Sequence, residues 1–280
     1  MSKLKVAELF YSIQGEGRYM GVPSIFLRTF GCNFTCDGFG MPRGEKSQER
    51  HNIVVANYQT YNELPLVSSG CDSYASWMPE FKNLSPLMET DGVVERIMEI
   101  LPYKQWAMEH LVITGGEPLL GWQRAYPDLL NHSKMKDLRE ITFETNGTQP
   151  LTPEFKHFLG EWTAENWYRE VTFSISAKLS NSGELREDAI KPEVVLEYQN
   201  AGYAYLKFVV ATEEDAEEAL AVTQIYQTAG FKGPVYLMPV GGVESVYALN
   251  NRRVAELAMA NGLRYSDRLQ VPLFKNEWGT

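Results

Sequence analysis

Two of the three cysteines in this chain stand close enough together in sequence to share a metal. Cys32 and Cys36 lie in the segment GCNFTCDG, and Cys71 lies in GCDSYASW. Zinc usually takes two pairs of Cys or His ligands, and His51 is the only histidine near these cysteines. A Cys3His zinc site is therefore one alternative, and a redox pair or an unligated loop is another.

Three cysteines and no more also suit a 4Fe-4S cluster. A cluster held at three irons leaves the fourth free for S-adenosylmethionine, whose reductive cleavage gives a 5'-deoxyadenosyl radical. Enzymes of this radical class carry C-x3-C-x2-C after their first strand. Here Phe39 stands where the third cysteine is expected. Cys71 can restore the motif as C-x3-C-x34-C if the two ends of the intervening loop lie close together.

A glycine-rich segment is the second indication of this chemistry. TGGEP, residues 114–118, follows the apolar run EHLVI. Consecutive glycines after a strand let the backbone approach a ligand, so that amides and carbonyls can bind amino or carboxylate groups. A Gly-Gly turn alone is a weak signal. Together with the upstream C-x3-C, TGGEP is similar to the motif by which radical S-adenosylmethionine enzymes hold the methionyl amine.

The elements that would position these motifs alternate between strands and helices, which predicts a parallel α/β sheet. Both motifs follow strands, and parallel α/β folds form their sites at the carboxyl ends of strands. The predicted strands are 6–12, 24–30, 110–114, 140–145, 171–176, 205–210 and 235–238. The predicted helices are 92–101, 123–131, 191–200, 213–229 and 244–261, the last two ending at Gly230 and Gly262.

Residues 37–70 do not follow this alternation. They carry Gly, Pro, Asn, Ser and mixed charge without a sustained period. Because so long a connection inside a compact domain is usually functional or an insertion, we expect one domain over residues 1–280 with an insertion at about 37–70.

The composition limits the class of protein. With 44% hydrophobic and 12% aromatic residues the chain is not disordered, and it has no apolar run as long as a membrane span. The net charge of -10 argues against a direct nucleic-acid partner. The odd cysteine count and an N-terminal segment unlike a secretory signal lead us to expect a cytoplasmic protein.

Beyond these motifs, the sequence resembles the 7-carboxy-7-deazaguanine synthases. The similar segments occur in order and run nearly end to end, apart from residues 37–70. They are YSIQGEG (11–17), GVPSIFLRTFGCN (21–33), CDSYASW (71–77), TGGEPLL (114–120), FETNGT (143–148), SISAKLSNSGE (174–184), YLKFVV (205–210) and VYLMPVGG (235–242). The resemblance implies a partial (βα) barrel of the radical S-adenosylmethionine type, in a homodimer.

The resemblance also implies a carbon-nitrogen lyase that converts 6-carboxy-5,6,7,8-tetrahydropterin to 7-carboxy-7-deazaguanine, with loss of ammonia, in queuosine-type biosynthesis. The implied cofactors are a 4Fe-4S cluster on Cys32, Cys36 and Cys71, S-adenosylmethionine and Mg2+. An electron donor such as flavodoxin would be a partner. Ser73 stands where relatives carry a Thr that reaches Mg2+, and its greater rotamer freedom predicts weaker binding of that ion.

The implied substrate site includes one residue that the sequence itself makes unusual. Arg28 lies within an apolar strand, where an unpaired cation is costly, so its partner is either the substrate carboxylate or an internal carboxylate. QGEG could instead be only a turn that closes the first strand. Gln270 stands where relatives often carry His, and the tail that ends at Thr280 is longer than theirs. The implied substrate residues are Ile13, Gln14, Gly15, Arg28, Thr114, Gln270 and Thr280.

A further set of residues would bind S-adenosylmethionine. Glu144 could equally be a structural carboxylate at a strand end, and Lys178 a solvated loop lysine. The implied cofactor residues are Gly116, Glu144, Ser176, Ala177, Lys178, Met238, Pro239, Val240 and Gly241. Two other functions stay open: a different radical enzyme, such as an activase that makes a glycyl radical, and a non-catalytic metal-binding interaction protein.

Overall fold

The computed structural model describes residues 2–280 and contains one open nine-stranded sheet. The strand order is β3-β1-β2-β4-β5-β6-β7-β8-β9, with β1 antiparallel to β2 and β3 and every pair from β2 to β9 parallel. The strands are β1 Lys3–Ile13, β2 Pro23–Thr29, β3 Leu87–Glu89, β4 His110–Gly115, β5 Glu140–Thr145, β6 Glu170–Ile175, β7 Tyr203–Val210, β8 Val235–Pro239 and β9 Arg264–Tyr265. The seven predicted strands are all present, and the α/β class with an unclosed barrel is confirmed.

The two faces of the sheet differ in chemistry because side chains alternate along each strand. In β2, Ile25 and Leu27 enter the main core, whereas Phe26 and Arg28 line a cavity on the opposite face. The same alternation occurs in β7, where Leu206 and Phe208 are core residues and Lys207 faces the cavity. The strands therefore place apolar residues toward the helices and a mixture of polar and apolar residues toward the inside of the partial barrel.

Six of the helices formed by residues 2–280, all except α4 and α8, contribute side chains to the core on the outer, apolar face of the sheet. The helices are α1 Thr90–Ile100, α2 Tyr126–Leu130, α3 Pro153–Glu165, α4 Arg186–Ala189, α5 Pro192–Ala201, α6 Glu213–Ala229, α7 Glu244–Ala260 and α8 Gln270–Phe274. Gly230 caps α6 with a φ of +114°, and Gly262 follows α7 with a φ of +65°, as predicted. None of the helices formed by residues 2–280 has the length and apolarity that a membrane crossing requires.

The sequence prediction omitted five elements. The longest is α3, whose start carries recognisable signals: Thr152 accepts a hydrogen bond from the Phe155 amide, and Pro153 occupies the first turn. The others, β3, β9, α4 and α8, have two to five residues each, too few to show a period. Both short strands lie at the edges of the sheet.

Residues 37–70 form only short 3-10 turns and irregular chain. They have a small apolar core of their own, in which Tyr61, Leu64 and Val67 pack with Tyr74 and Phe81 of the following segment. This core lies apart from the main core between sheet and helices. The segment is therefore folded against its neighbours even though its sequence has no period.

Candidate functional site

A cavity of about 250 Å3 lies on the inner face of the sheet, and residues of the insertion form part of its wall. Ala177 and Pro239 are buried and do not line it. All the other predicted site residues do: Ile13, Gln14, Gly15, Arg28, Cys32, Cys36, Cys71, Ser73, Thr114, Gly116, Glu144, Ser176, Lys178, Met238, Val240, Gly241, Gln270 and Thr280. Residues from both ends of the chain therefore meet in one space.

The loop after β2 presents Cys32 and Cys36 to this cavity. The carboxylate of Glu184 accepts hydrogen bonds from the amides of Thr35 and Cys36, at 2.8 and 2.7 Å. Cys36 has a φ of +52°, a left-handed conformation that is uncommon for a residue with a side chain. Glu184 thus holds the loop in the turn that brings both thiols to the same side.

The chain after the insertion brings Cys71 to the cavity that holds Cys32 and Cys36, because hydrogen bonds connect the two ends of the insertion. The Gly70 amide donates to the Phe39 carbonyl at 2.7 Å. The Glu49 carboxylate accepts from the amides of Ser68 and Ser69, at 2.9 and 3.0 Å. These bonds join the two ends of a long loop, which is the condition under which a distant cysteine can complete the motif.

A buried ion pair strengthens this base. Arg50 is 3% exposed and pairs with Asp37, the residue after Cys36. Its guanidinium also lies 4.9 Å from the centre of the Trp77 ring, and Trp77 Nε1 donates to Cys71 Sγ at 3.4 Å. Arg50 therefore connects the segments that carry Cys36 and Cys71.

Burial raises the pKa of all three thiols. The pKa of Cys32 rises to about 12, and those of Cys36 and Cys71 also lie above the ordinary range. Lys178 opposes the shift at each thiol, whereas the neighbouring thiols add to it at Cys36. A bound cation would supply the positive charge that these thiolates need.

No three Cys, His, Asp or Glu side chains between residues 2 and 280 are grouped as ligands of a single metal ion. His51 is exposed on the insertion, so a Cys3His zinc site has no geometric support. A cluster places its three thiolates on three different irons, which requires a wider spacing than one ion does. The donor set of three cysteines around one cavity fits that larger group.

The TGGEP turn brings the backbone against the cysteine loop. A Cβ on Gly116 would lie 2.5 Å from the Gly31 carbonyl oxygen and 2.7 Å from Cys32 Cβ. A Cβ on Gly115, whose φ is +153°, would lie 2.2 Å from the Thr29 carbonyl oxygen. Only glycine fits at either position, so the ends of β2 and β4 can approach each other this closely.

Glu117, in the same turn, was not singled out from the sequence. It is fully buried, and it accepts hydrogen bonds from the Leu119 amide at 3.0 Å, Thr145 Oγ1 at 2.8 Å and the Asn146 amide at 2.7 Å. Burial raises the pKa of Glu117 to about 7. Since its own amide donates to Gly31, Glu117 joins the ends of β2, β4 and β5.

Arg28 pairs with an internal carboxylate, one of the two partners that the sequence allowed. Its Nε donates to Glu8 Oε2 at 2.7 Å, and its NH1 donates to Ser73 Oγ at 3.1 Å. Burial raises the pKa of Glu8, and Arg28 opposes that rise. The guanidinium still lines the cavity, so the ion pair orients it there.

The QGEG turn closes the first hairpin and also enters the cavity. The Gln14 amide donates to the Val22 carbonyl at 2.8 Å, as a simple turn requires. Its side chain, however, reaches Glu144 Oε1 at 3.1 Å, and Thr114 Oγ1 reaches Glu144 Oε2 at 3.3 Å. Glu144 therefore holds two of the predicted substrate residues in place.

A buried network of charges forms another part of the wall. Glu16 pairs with Lys207 and with Arg268, and it accepts from Gln270 Nε2 at 2.8 Å. Burial opposes ionisation of Glu16, but the attraction of Lys207 and Arg268 outweighs it and lowers its pKa to about 2. Arg268 also pairs with Asp72, which lies between Cys71 and Ser73.

Of the residues in this network, only the neutral Gln270 was named from the sequence as a site residue. A signal did exist for Lys207, a lone cation in the apolar strand YLKFVV. No local pattern indicates Arg268 or Asp72, because their partners are distant in the chain.

Lys178 is not a freely solvated lysine. Its Nζ donates to Ser176 Oγ at 3.0 Å, and it lies 5.9 Å from the centre of the Phe39 ring. Its ammonium is therefore held at the cavity, where it opposes the rise in pKa that burial causes at the three cysteines.

Comparisons with known proteins agree on one family. No family model matches the chain. The 7-carboxy-7-deazaguanine synthase of Pyrobaculum aerophilum is 26% identical over 99% of this chain and 97% of its own length. Those of Halobacterium salinarum and Rhodopirellula baltica are 26% and 27% identical, over 98% and 100% of this chain and 91% and 90% of their own lengths.

A solved structure supports the fold. The crystal structure of QueE from Escherichia coli aligns with a TM-score of 0.53 at 20% identity, covering 94% of this chain and 93% of that one. The sequence matches span nearly the whole of each relative, and the structural match covers most of both chains and shows a shared fold. Over nearly its whole length, the chain is therefore similar to proteins named 7-carboxy-7-deazaguanine synthase, at 26–27% identity.

Proposed function

We propose that this chain converts 6-carboxy-5,6,7,8-tetrahydropterin to 7-carboxy-7-deazaguanine with loss of ammonia. The observation that carries this proposal is the return of Cys71 to a cavity that also holds Cys32, Cys36 and the TGGEP turn. The relatives named for this product, aligned over nearly their full lengths, support the same reaction.

The three cysteines would hold a 4Fe-4S cluster, since three thiolates leave one iron open for S-adenosylmethionine. Together the cluster and S-adenosylmethionine would supply the hydrogen abstraction that starts the ring contraction. Gly116 keeps side-chain atoms out of the space beside Cys32, where the methionyl group would bind. Ser176, Lys178, Glu144 and the segment 238–241 would bind the rest of the cofactor, with Ala177 and Pro239 acting as buried supports.

The remaining cavity residues would bind the pterin. Arg28 would hold the substrate carboxylate, since Glu8 fixes the orientation of its guanidinium. Gln14 and Thr114, oriented by Glu144, would donate or accept hydrogen bonds at the ring edge. Phe10 and Phe26 stack at 5.0 Å and give the cavity an aromatic wall. Ile13, Gly15, Gln270 and Thr280 complete the proposed substrate site.

Ser73 would contribute to the Mg2+ site. Its hydroxyl accepts from Arg28 and lies next to Asp72, so it shares the cavity with both a cation and a carboxylate. We also propose one domain with its insertion, a homodimer, an electron donor such as flavodoxin, and a cytoplasmic location that would keep the three thiols reduced.

The test is anaerobic reconstitution with iron and sulfide, followed by turnover with dithionite, S-adenosylmethionine, Mg2+ and the carboxylated tetrahydropterin. Mass spectrometry is expected to detect 7-carboxy-7-deazaguanine in the wild type and none in the Cys32→Ala variant. Formation of 5'-deoxyadenosine without that product would favour a different radical reaction, such as glycyl-radical activation. Failure to assemble any cluster would favour the metal-binding interaction protein instead.

A further inference from the structure

The insertion forms part of an aromatic socket beside the cavity, which we define as Tyr61, Leu64 and Val67 together with Tyr74 and Phe81. Its two tyrosine rings are fixed by hydrogen bonds. Tyr61 Oη donates to the Ala75 carbonyl at 2.8 Å, and Tyr74 Oη donates to the Pro65 carbonyl at 2.7 Å. Tyr61 Oη also lies 2.7 Å from Ser85 Oγ. The socket is therefore a rigid surface, although the insertion has no regular secondary structure.

Trp278 fills this socket. Its ring centre lies 5.7 Å from that of Tyr61 and 5.6 Å from that of Tyr74, in edge-to-face geometry at both. Aromatic pairs of this kind stabilise contacts beyond the area that they bury. Its indole N–H has no acceptor among residues 2–280. The contact is thus made by ring packing and not by a hydrogen bond.

The tail, residues 276–280, connects the socket to the cavity. Every tail residue lines the cavity. Asn276 Nδ2 donates to the Gly242 carbonyl at 2.8 Å, next to Gly241 of the proposed cofactor segment. At the other side, the Gly279 amide lies close enough to Glu8 to oppose the rise in pKa that burial causes. The tail therefore extends from the cofactor segment to the ion pair of Arg28.

We propose that the insertion acts as the seat of the tail, and that Trp278 is the positioning residue that makes the tail a wall of the substrate site. This inference rests on the proposed function. Without the indole ring, the tail beyond Asn276 would have many conformations, and substrate binding would have to order it at an entropic cost. The loss would therefore appear in substrate affinity, whereas the cysteines and the TGGEP turn would be unaffected.

The first test is the steady-state kinetics of Trp278→Ala for the carboxylated tetrahydropterin. We expect KM to rise about tenfold, which corresponds to about 1.4 kcal/mol, with little change in kcat at saturating substrate. Trp278→Phe keeps an aromatic ring in the socket and loses the five-membered ring, whose N–H has no partner among residues 2–280, so its KM is expected to stay within about twofold of the wild type. Trp167→Ala, at a side chain that is 93% exposed, is the matched control.

Two further measurements use the protein without substrate. Iron content per chain should equal that of the wild type in Trp278→Ala, because the cluster residues are unchanged. Hydrogen exchange of the amides in 276–280 should become faster in Trp278→Ala and also in Tyr61→Leu, which alters the socket from the other side. An unchanged KM in Trp278→Ala, or unchanged exchange in both variants, would overturn the proposal.

These measurements distinguish a failure of the proposed function from a failure of the proposed role of the tail. If the wild type assembles a cluster but does not use the pterin, the proposed function fails, whereas the exchange rates still show whether the socket holds the tail. If the wild type is active and Trp278→Ala keeps its KM despite faster exchange, the tail is seated by the insertion but is not part of the substrate site, and the inference is wrong.

Discussion

At the scale of single residues, the three thiols combine burial with a nearby ammonium group. Burial raises the pKa of Cys32 to about 12, so the neutral thiol is its stable form at pH 7 in the metal-free protein. Such a group is inert as a nucleophile but becomes a ligand once a metal displaces the proton. Lys178 opposes part of this rise in the pKa of Cys32 and Cys36, because its ammonium group attracts the thiolate form.

We predict that Cys71→Ala abolishes cluster assembly as completely as Cys32→Ala does. Either substitution removes one of three ligands, and no other cysteine exists in the chain to replace it. Iron and sulfide per chain after anaerobic reconstitution measure the effect. Trp77→Phe is the control, because it removes the N–H that reaches Cys71 Sγ and leaves the thiol. A full complement of iron in Cys71→Ala would mean that Cys71 is not a ligand.

At the scale of elements, the site depends on close approach of strand ends and on the closed base of the insertion. The carboxyl ends of β2, β4 and β5 are joined through Glu117, and the glycines of the turn let two backbones meet. The insertion has no regular element to stiffen it, so ion pairs and side-chain caps at its base set the position of Cys71. Single substitutions can test the glycine turn and the base of the insertion separately.

Gly116→Ala should weaken binding of S-adenosylmethionine by at least about tenfold, or about 1.4 kcal/mol, measured by titration calorimetry on the reconstituted protein. The new Cβ would meet the Gly31 carbonyl and Cys32, and neither can move without shifting β2 or its loop. The matched control is Gly160→Ala in α3, where a Cβ meets nothing within 4 Å. That variant should bind normally and be more stable by about 0.5–1 kcal/mol. Equal binding by both variants would contradict the assignment of the turn.

Arg50→Met should lower the free energy of unfolding by about 3–5 kcal/mol, because it leaves Asp37 buried without its cation. Iron content after reconstitution should fall as well, since Cys71 loses its fixed position relative to Cys36. Denaturant unfolding and iron analysis measure the two effects. Arg43→Met is the control for iron content, because this half-exposed arginine of the same insertion pairs with the buried Asp215 of α6 and not with a residue next to a cysteine. The hypothesis fails if both variants retain the same iron content.

At the scale of the whole molecule, one buried charge network connects distant parts of the chain. Glu16 follows β1, and its partners Lys207 and Arg268 lie in β7 and before α8. Arg268 also pairs with Asp72, the residue after Cys71. Buried charges are costly unless each one is paired and hydrogen-bonded. The network therefore makes the two ends of the partial barrel and the insertion depend on one another.

The pH dependence of stability should report on this network. Glu16 has a pKa of about 2 in the folded protein, below its ordinary value of 4.5, so its contribution is complete above about pH 5 and is lost as the pH falls toward 2. The shift corresponds to about 3 kcal/mol. By denaturant unfolding, Glu16→Gln should have a lower free energy of unfolding than the wild type at pH 7. That free energy should also fall less in the variant when the pH is lowered. Glu89→Gln, at an exposed side chain, should keep the acid dependence of the wild type. If the free energy of unfolding depended on pH in the same way in Glu16→Gln and in the wild type, this role of Glu16 would be contradicted.

The elements with a local signal were predictable. Runs of β-branched and aromatic residues located seven strands, glycines located the ends of α6 and α7, and the spacing of Cys32 and Cys36 with TGGEP indicated the cofactor chemistry. Short edge strands carried too few residues to show a period. Helix α3 had a capping signal that the prediction overlooked, so its omission reflects the interpretation and not the sequence.

The sequence by itself determined which chemistry this chain can hold, since motifs and periods are local and each residue's neighbours along the chain specify them. Only the tertiary structure decided that Cys71 lies with Cys32 and Cys36, that Lys207 and Arg268 neutralise Glu16, and that Trp278 packs against the insertion. Those contacts join residues far apart in the chain, and their positions depend on how an irregular loop and a tail pack against the sheet. Burial, which makes each such contact strong or costly, exists only in the folded chain.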